Sequence, residues 1–284
     1  MLNQTNFNIG HTHIIVINKT TYNTNEAVNI LKKVLLSSYL NSINTVDIII
    51  TKNFRYGILH LRKHSVKRSS VNSTNTYANK NIIYINPNEF NNPTKLNQIL
   101  IHEIVHIKHR QINQFIRNRY EAKTKVSKFT HFIERKLNLL MRGRIKASPR
   151  LIKQLLLDIA EDFVLEGVAK IAEEFEIHGK LTHFNRHAAE KYSYALNMYL
   201  KQRQYSSCVK IIDEAMWTIG YYMIKDILEA NPKSNLEKLM HLSPEKIINI
   251  HERSCHHLGR TPLISLNSGG YINYNSIIYN NKSN

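Results

Sequence analysis

The 284-residue sequence predicts a mixed α+β fold, with a small mixed sheet in the N-terminal part and a mostly helical C-terminal part. Three observations predict it. Short runs rich in β-branched residues fall within the first 90 residues. Beyond residue 92, apolar side chains recur at spacings of three and four. Asn-Pro and Ser-Pro pairs, which favour helix starts, stand at 92–93, 148–149 and 243–244.

Taken in order, residues 13–18 and 46–51 read as strands. Between them a helix carries Ala27, Ile30, Leu31, Val34 and Leu35, with Asn25 as its expected cap. Residues 54–80 are polar and basic and read as hairpin and loop. Asn81 to Asn86 is a further strand. Asn92 then caps a helix opened by Pro93, with Leu96, Ile99, Leu100, Ile101, Ile104, Val105 and Ile107 along it. Ser148-Pro149 starts a strong helix that stops near Gly179. Further helices are expected near 186–203 and 207–229, and from Ser243 to about Gly259. The tail from Ser265 to Asn284 reads as loop, with Tyr271 to Tyr279 able to add a strand. No internal repeat is visible. The parts are thus 1–90, a sheet-bearing α/β part; 91–230, a helical part with an insert at 113–148; and 231–284, a helix and polar tail.

Composition narrows the function classes. Hydrophobic content is 42%, ordinary for a folded chain of this length. The two cysteines, Cys208 and Cys255, form no CxxC pair, so no disulfide framework or cysteine zinc finger is indicated. The apolar run at 14–17 is too short for a signal peptide, and no run approaches a membrane span. A cytoplasmic protein is the expectation. The formal net charge of +18 attracts polyanions. Much of it sits in residues 117–153, which hold 12 Lys and Arg against Glu121 and Glu134. That segment reads first as a solvated helical face and second as a contact for nucleic acid, acidic protein or lipid. No RNA-binding signature or zinc finger accompanies it.

Residues 102–106 read His-Glu-Ile-Val-His. Positions four apart share a helix face, so both imidazoles can converge on one zinc ion. Glu103, beside the first histidine, is placed to act as general base on a water there. Two histidines and a glutamate do little for an otherwise apolar, well-capped helix, which favours a ligand role. A catalytic site of this kind takes a third protein ligand and leaves one position open. A further histidine in a His-x-x-Gly-x-x-His continuation is not available, because His109 and Ile112 occupy those places. His109 lies too far along the axis to complete a tetrahedron with both others. It reads as a group behind the ligands or as solvated.

The long helix from Ser148 supplies carboxylates at Glu161, Asp162 and Glu166, and Glu166-Gly167-Val168-Ala169 fits a Glu-Gly-x-Ala element. Together with the first motif, this resembles the gluzincin branch of zincin metallopeptidases, over about residues 80–230. The resemblance implies that His102, His106 and Glu166 hold zinc, with Glu161 the next ligand candidate, and that Glu103 is the general base of peptide hydrolysis. It implies that Gly167 lets the ligand helix pack closely on the metal helix, and it suggests that Asp162 orients a histidine N–H. Strand 81–86 would be the edge strand to which an extended peptide substrate adds.

Two departures stand against the pattern. The 60 residues from His106 to Glu166 are long for compact members, and Trp217 stands three residues before Gly220 where related enzymes often carry a tyrosine. Tyr221 follows directly and is the candidate oxyanion donor, beside Tyr222. His251, Cys255, His256 and His257 form a second cluster in which His251 and Cys255 are four apart, a possible metal pair read here as structural. The expected function is a zinc-dependent peptidase. The competing expectation is a basic nucleic-acid-binding or scaffold protein whose metal site is structural or inactive.

Overall fold

The computed structural model describes residues 3–35, 39–40, 43–52, 76–79, 81–113, 116, 149–181, 186–202, 204–266 and 272–273. They form two compact units, Met1–Gln111 with Ala172–Lys180, and Ile112–Ile171 with Leu181–Asn284. The fold is mixed α+β with a small N-terminal mixed sheet. Residues 117–148 of the basic segment lie outside the described residues, as do residues 53–75.

The first unit is built on a five-stranded sheet of order β1-β2-β3-β5-β4. Its strands are β1 (Asn3–Ile9), β2 (Thr12–Asn18), β3 (Thr45–Ile50), β4 (Thr76–Asn79) and β5 (Ile82–Ile85). The β2–β3 and β3–β5 pairs are parallel, and the two outer pairs are antiparallel. A parallel β2–β3 pair needs a crossover. Helix α1 (Thr24–Val34) supplies it. Its cap is Asn23, whose side chain accepts from the N–H groups of Asn25 and Glu26, so the cap falls two residues before the expected Asn25. Asn18 fixes the turn into α1 by donating to the Tyr22 carbonyl at 2.7 Å and to Thr24 Oγ1 at 2.9 Å.

Alternation decides the core. Ile14 and Val16 point to one face of the sheet, with Val46, Ile48, Ile50, Ile83 and Ile85 beside them. Ala27 and Leu31 of α1 close over this face, as do Leu96, Leu100, Ile104 and Ile107 of helix α2 (Pro93–Ile112). Each Val, Leu or Ile among them contributes about 1.5–3 kcal/mol by leaving water. Asn92 caps α2 as expected, accepting from the Lys95 N–H at 3.1 Å.

One expectation about the sheet is overturned. Strand 81–86 was read as an edge, but β5 pairs on both sides, with β3 and with β4. The edges are β1 and β4. Apolar alternation in Ile82–Ile85 reports a buried face and is silent about pairing.

Helix α3 (Pro149–His178) runs from the second unit into the first, ending where Gly179 takes a φ of +65°, as its sequence predicts. The second unit adds α4 (Arg186–Lys201), α5 (Tyr205–Ala230), α6 (Leu236–Met240), α7 (Pro244–His257) and a two-stranded pair, β6 (Ser265–Leu266) with β7 (Ile272–Asn273). Packed against α4 and α7, α5 is its central helix, with Ile219, Met223, Ile224 and Ile227 fully buried. Among the described residues no helix is long and apolar enough to cross a membrane.

Within this unit α3 and α5 meet backbone to backbone. A Cβ on Gly167 would stand 2.2 Å from the Gly220 carbonyl oxygen, and one on Gly220 would stand 2.2 Å from that of Phe163. Neither position can hold a side chain unless the backbones separate. The close packing expected of Gly167 against the metal helix is therefore, in the structure, packing against Gly220 of α5.

Candidate metal centre

Helical geometry puts the motif away from the sheet. Ile104, in the core stripe of α2, is two residues from both His102 and His106. At about 100° per residue the histidines lie about 160° around the helix from it. They are nonetheless buried, at 5% and 9% exposure. Their Nε2 atoms face each other at 3.0 Å, with the rings edge to face and centroids 4.6 Å apart. Glu103 beside them is half-buried.

One ligand atom from each of His102, His106 and Glu166 lies within 4.8 Å of the others. Of the carboxylates that the sequence offered on α3, Glu166 forms this group and Glu161 does not. Glu161 is buried at 4% exposure. His109, one turn beyond His106, is fully buried; its reading as a solvated histidine does not hold.

A carboxylate that the sequence reading missed faces the site. Glu173 Oε2 lies 3.6 Å from His102 Nδ1, with both side chains largely buried. The expectation assigned that kind of role to Asp162, which is half-buried one turn before Glu166. The overlooked signal was periodicity. Position 173 follows Glu166 by two helical turns and so shares its face.

The donor set suits a divalent ion of borderline softness, two imidazole nitrogens and a carboxylate oxygen. Two tetrahedral ligands about 2.0–2.1 Å from zinc stand roughly 3.3 Å apart. The 3.0 Å between the two imidazole nitrogens is close to that edge. Grouped in this way, the two buried imidazoles and the carboxylate could hold a metal ion.

The expected oxyanion donor, Tyr221, is itself buried. It is 1% exposed, edge-on to Tyr222 with centroids 5.2 Å apart, and the Lys225 ammonium lies 5.8 Å from its ring centre. Trp217, three residues before Gly220, is 42% exposed.

The second cluster closes around Asp226, which the sequence reading did not connect to it. His251 Nε2 lies 3.4 Å from Asp226 Oδ2, and the Cys255 sulfur lies 3.2 Å from His251 Nε2 and 3.5 Å from Asp226 Oδ2. Arg186 Nη1 donates to both Asp226 oxygens, at 2.7 and 2.6 Å, and Arg260 Nη1 donates to Oδ1 at 2.6 Å. Arg260 also bonds Glu229 at 2.5 Å. Burial alone would raise the Asp226 pKa. Hydrogen bonds from His251 and Arg186, and their charge, overcome it and hold the carboxyl well below the usual range. Burial, then the Asp226 charge, pushes the Cys255 thiol up to about 12. The cluster has the composition of a metal site and the wiring of an ion-pair knot that ties α4, α5 and α7.

No protein-family model, curated protein or solved structure matches the chain.

Proposed function

We propose that the chain is a zinc-dependent peptidase of the gluzincin type, with His102, His106 and Glu166 as the zinc ligands. The observation that supports this most is the grouping of those three ligand atoms within 4.8 Å, two of them buried imidazoles of a His-Glu-x-x-His helix. Zinc in such a site supplies Lewis acidity, lowering the pKa of a water and polarising a carbonyl oxygen. Glu103 takes a proton from the attacking water as the new C–O bond forms. It passes that proton to the amine nitrogen as the C–N bond breaks. Tyr221 is the candidate donor to the carbonyl oxygen as it gains charge. A peptide or unfolded protein segment is the substrate class.

Glu103→Gln tests the reading directly. The variant should keep about one zinc per chain and lose cleavage of an unstructured protein substrate. Undiminished cleavage by the variant would end the peptidase reading.

The charge of +18 favours a second reading, in which the chain binds a polyanion through its basic segment. Nucleic-acid affinity falling steeply with salt, together with a zinc-free purified protein, would favour it over the first.

A further inference from the structure

We infer that Glu173 is the positioning residue of the proposed centre, and that it sets the tautomer and direction of His102. The inference rests on the zinc reading above and adds a residue to it. His102 has its two ring nitrogens committed in opposite senses. Nε2 faces His106 Nε2 at 3.0 Å, and Nδ1 faces Glu173 Oε2 at 3.6 Å. A neutral imidazole carries one N–H and one lone pair. A carboxylate beside Nδ1 favours the proton there, which leaves the Nε2 lone pair for an ion.

Burial strengthens the effect. The side chains of His102 and Glu173 are 7% and 13% exposed, so water competes little for either group. The 3.6 Å separation is a few tenths of an ångström longer than an N–H···O hydrogen bond, so the contact is one between the carboxylate charge and the imidazole N–H dipole. Helix α3 carries both carboxylates on one face, Glu166 toward the ion and Glu173 two turns later toward the back of its ligand. A glutamate at this offset does what Asp162, one turn on the other side of Glu166, was expected to do.

The experiment uses the full chain and five proteins: wild type, Glu173→Gln, Glu173→Ala, Asp162→Asn and His106→Ala. Zinc affinity is measured by competition with a chromophoric chelator, and the melting temperature of each zinc-free protein is measured beside it. Glu173→Gln and Glu173→Ala should weaken zinc by about 10- to 100-fold, the usual cost of losing such a partner, with zinc-free melting unchanged. Asp162→Asn should bind zinc as the wild type does. If Glu173→Ala does not fold, Glu173→Gln carries the test, since it keeps shape and removes the charge.

Wild-type zinc affinity in Glu173→Gln, with affinity lost in His106→Ala, would overturn this inference and leave the zinc centre standing. A loss in Asp162→Asn instead would transfer the role to Asp162. Zinc-free destabilisation in Glu173→Gln that accounts for its lost affinity would make Glu173 a packing residue. A wild type without zinc affinity, or His106→Ala binding as the wild type does, would remove the zinc reading itself.

Discussion

Among the described residues, two groups of ligand-type side chains come together, and the contacts seen around them differ. His102 and His106 meet the Glu166 carboxylate, with Glu173 behind His102. Asp226, His251 and Cys255 meet each other, but two guanidinium groups, Arg186 and Arg260, already occupy Asp226. The first group brings together imidazoles and carboxylates, the donor set of the proposed zinc site. In the second, Asp226 and Glu229 are balanced by the two arginines, and a cation would have to displace them. Which atoms lie within a few ångströms is therefore a weaker guide to metal binding than which cations already hold them.

The largest expected effect separates the two groups outright. Substituting His106→Ala should abolish tight zinc binding, whereas His251→Ala should leave zinc stoichiometry unchanged, as read by elemental analysis after gel filtration. Retained zinc in the first variant, or lost zinc in a folded second one, would break the contrast.

Next comes stability. Asp226→Ala leaves Arg186, at 21% side-chain exposure, and Arg260, at 36%, without their shared carboxylate. Breaking a buried pair by removing one partner costs roughly 3–5 kcal/mol, and the partial exposure of both arginines places this one toward the lower end. Urea denaturation should show a loss of about 3 kcal/mol. A change under about 1 kcal/mol would mean that the knot is decorative.

Acid gives a smaller, graded version of the same test. The Asp226 carboxyl is held below its unfolded value, so the unfolded chain takes up the proton first. Its contribution is fully present above the unfolded pKa of about 3.9 and is lost as pH falls below it. The melting temperature of the wild type should therefore fall more steeply than that of Asp226→Ala in that acid window; parallel profiles would refute the pairing.

Cys255 gives the smallest effect. Its thiol is raised to about 12, so its contribution is present below the unfolded value and lost as pH rises toward 12. Cys255→Ser should lack that alkaline decline and match the wild type at neutral pH in melting temperature.

How much of this was legible depends on what kind of signal each residue gives. Helix α2 was readable almost to the residue, because the Asn92 cap and the apolar stripe from Leu96 to Ile107 are local facts. The same holds for the stop at Gly179 and the Ser243 cap of α7. Strand β1 was not legible. Its sequence, Asn-Gln-Thr-Asn-Phe-Asn-Ile, is that of an edge strand facing water, with little apolar alternation to find. The position of β5 inside the sheet was hidden for a related reason, since pairing is a non-local property. His102, Glu103 and His106 were visible as a motif because their spacing is set within one helix. Glu166 needed a resemblance, and Glu173 and Asp226 needed the fold, because each meets its partners across tens of residues of chain.

The bare contact between Gly167 and Gly220 has a consequence for kinship. Surface positions can drift, and core aliphatics can trade volume with their neighbours, but two backbones in contact allow no such exchange. A remote cousin that retains this helix crossing would keep both positions free of side chains, one of them next to Glu166. A glutamate-glycine step followed 53 residues later by a second glycine, behind a His-Glu-x-x-His helix, is thus the fingerprint by which descent could be recognised after the rest of the sequence had changed.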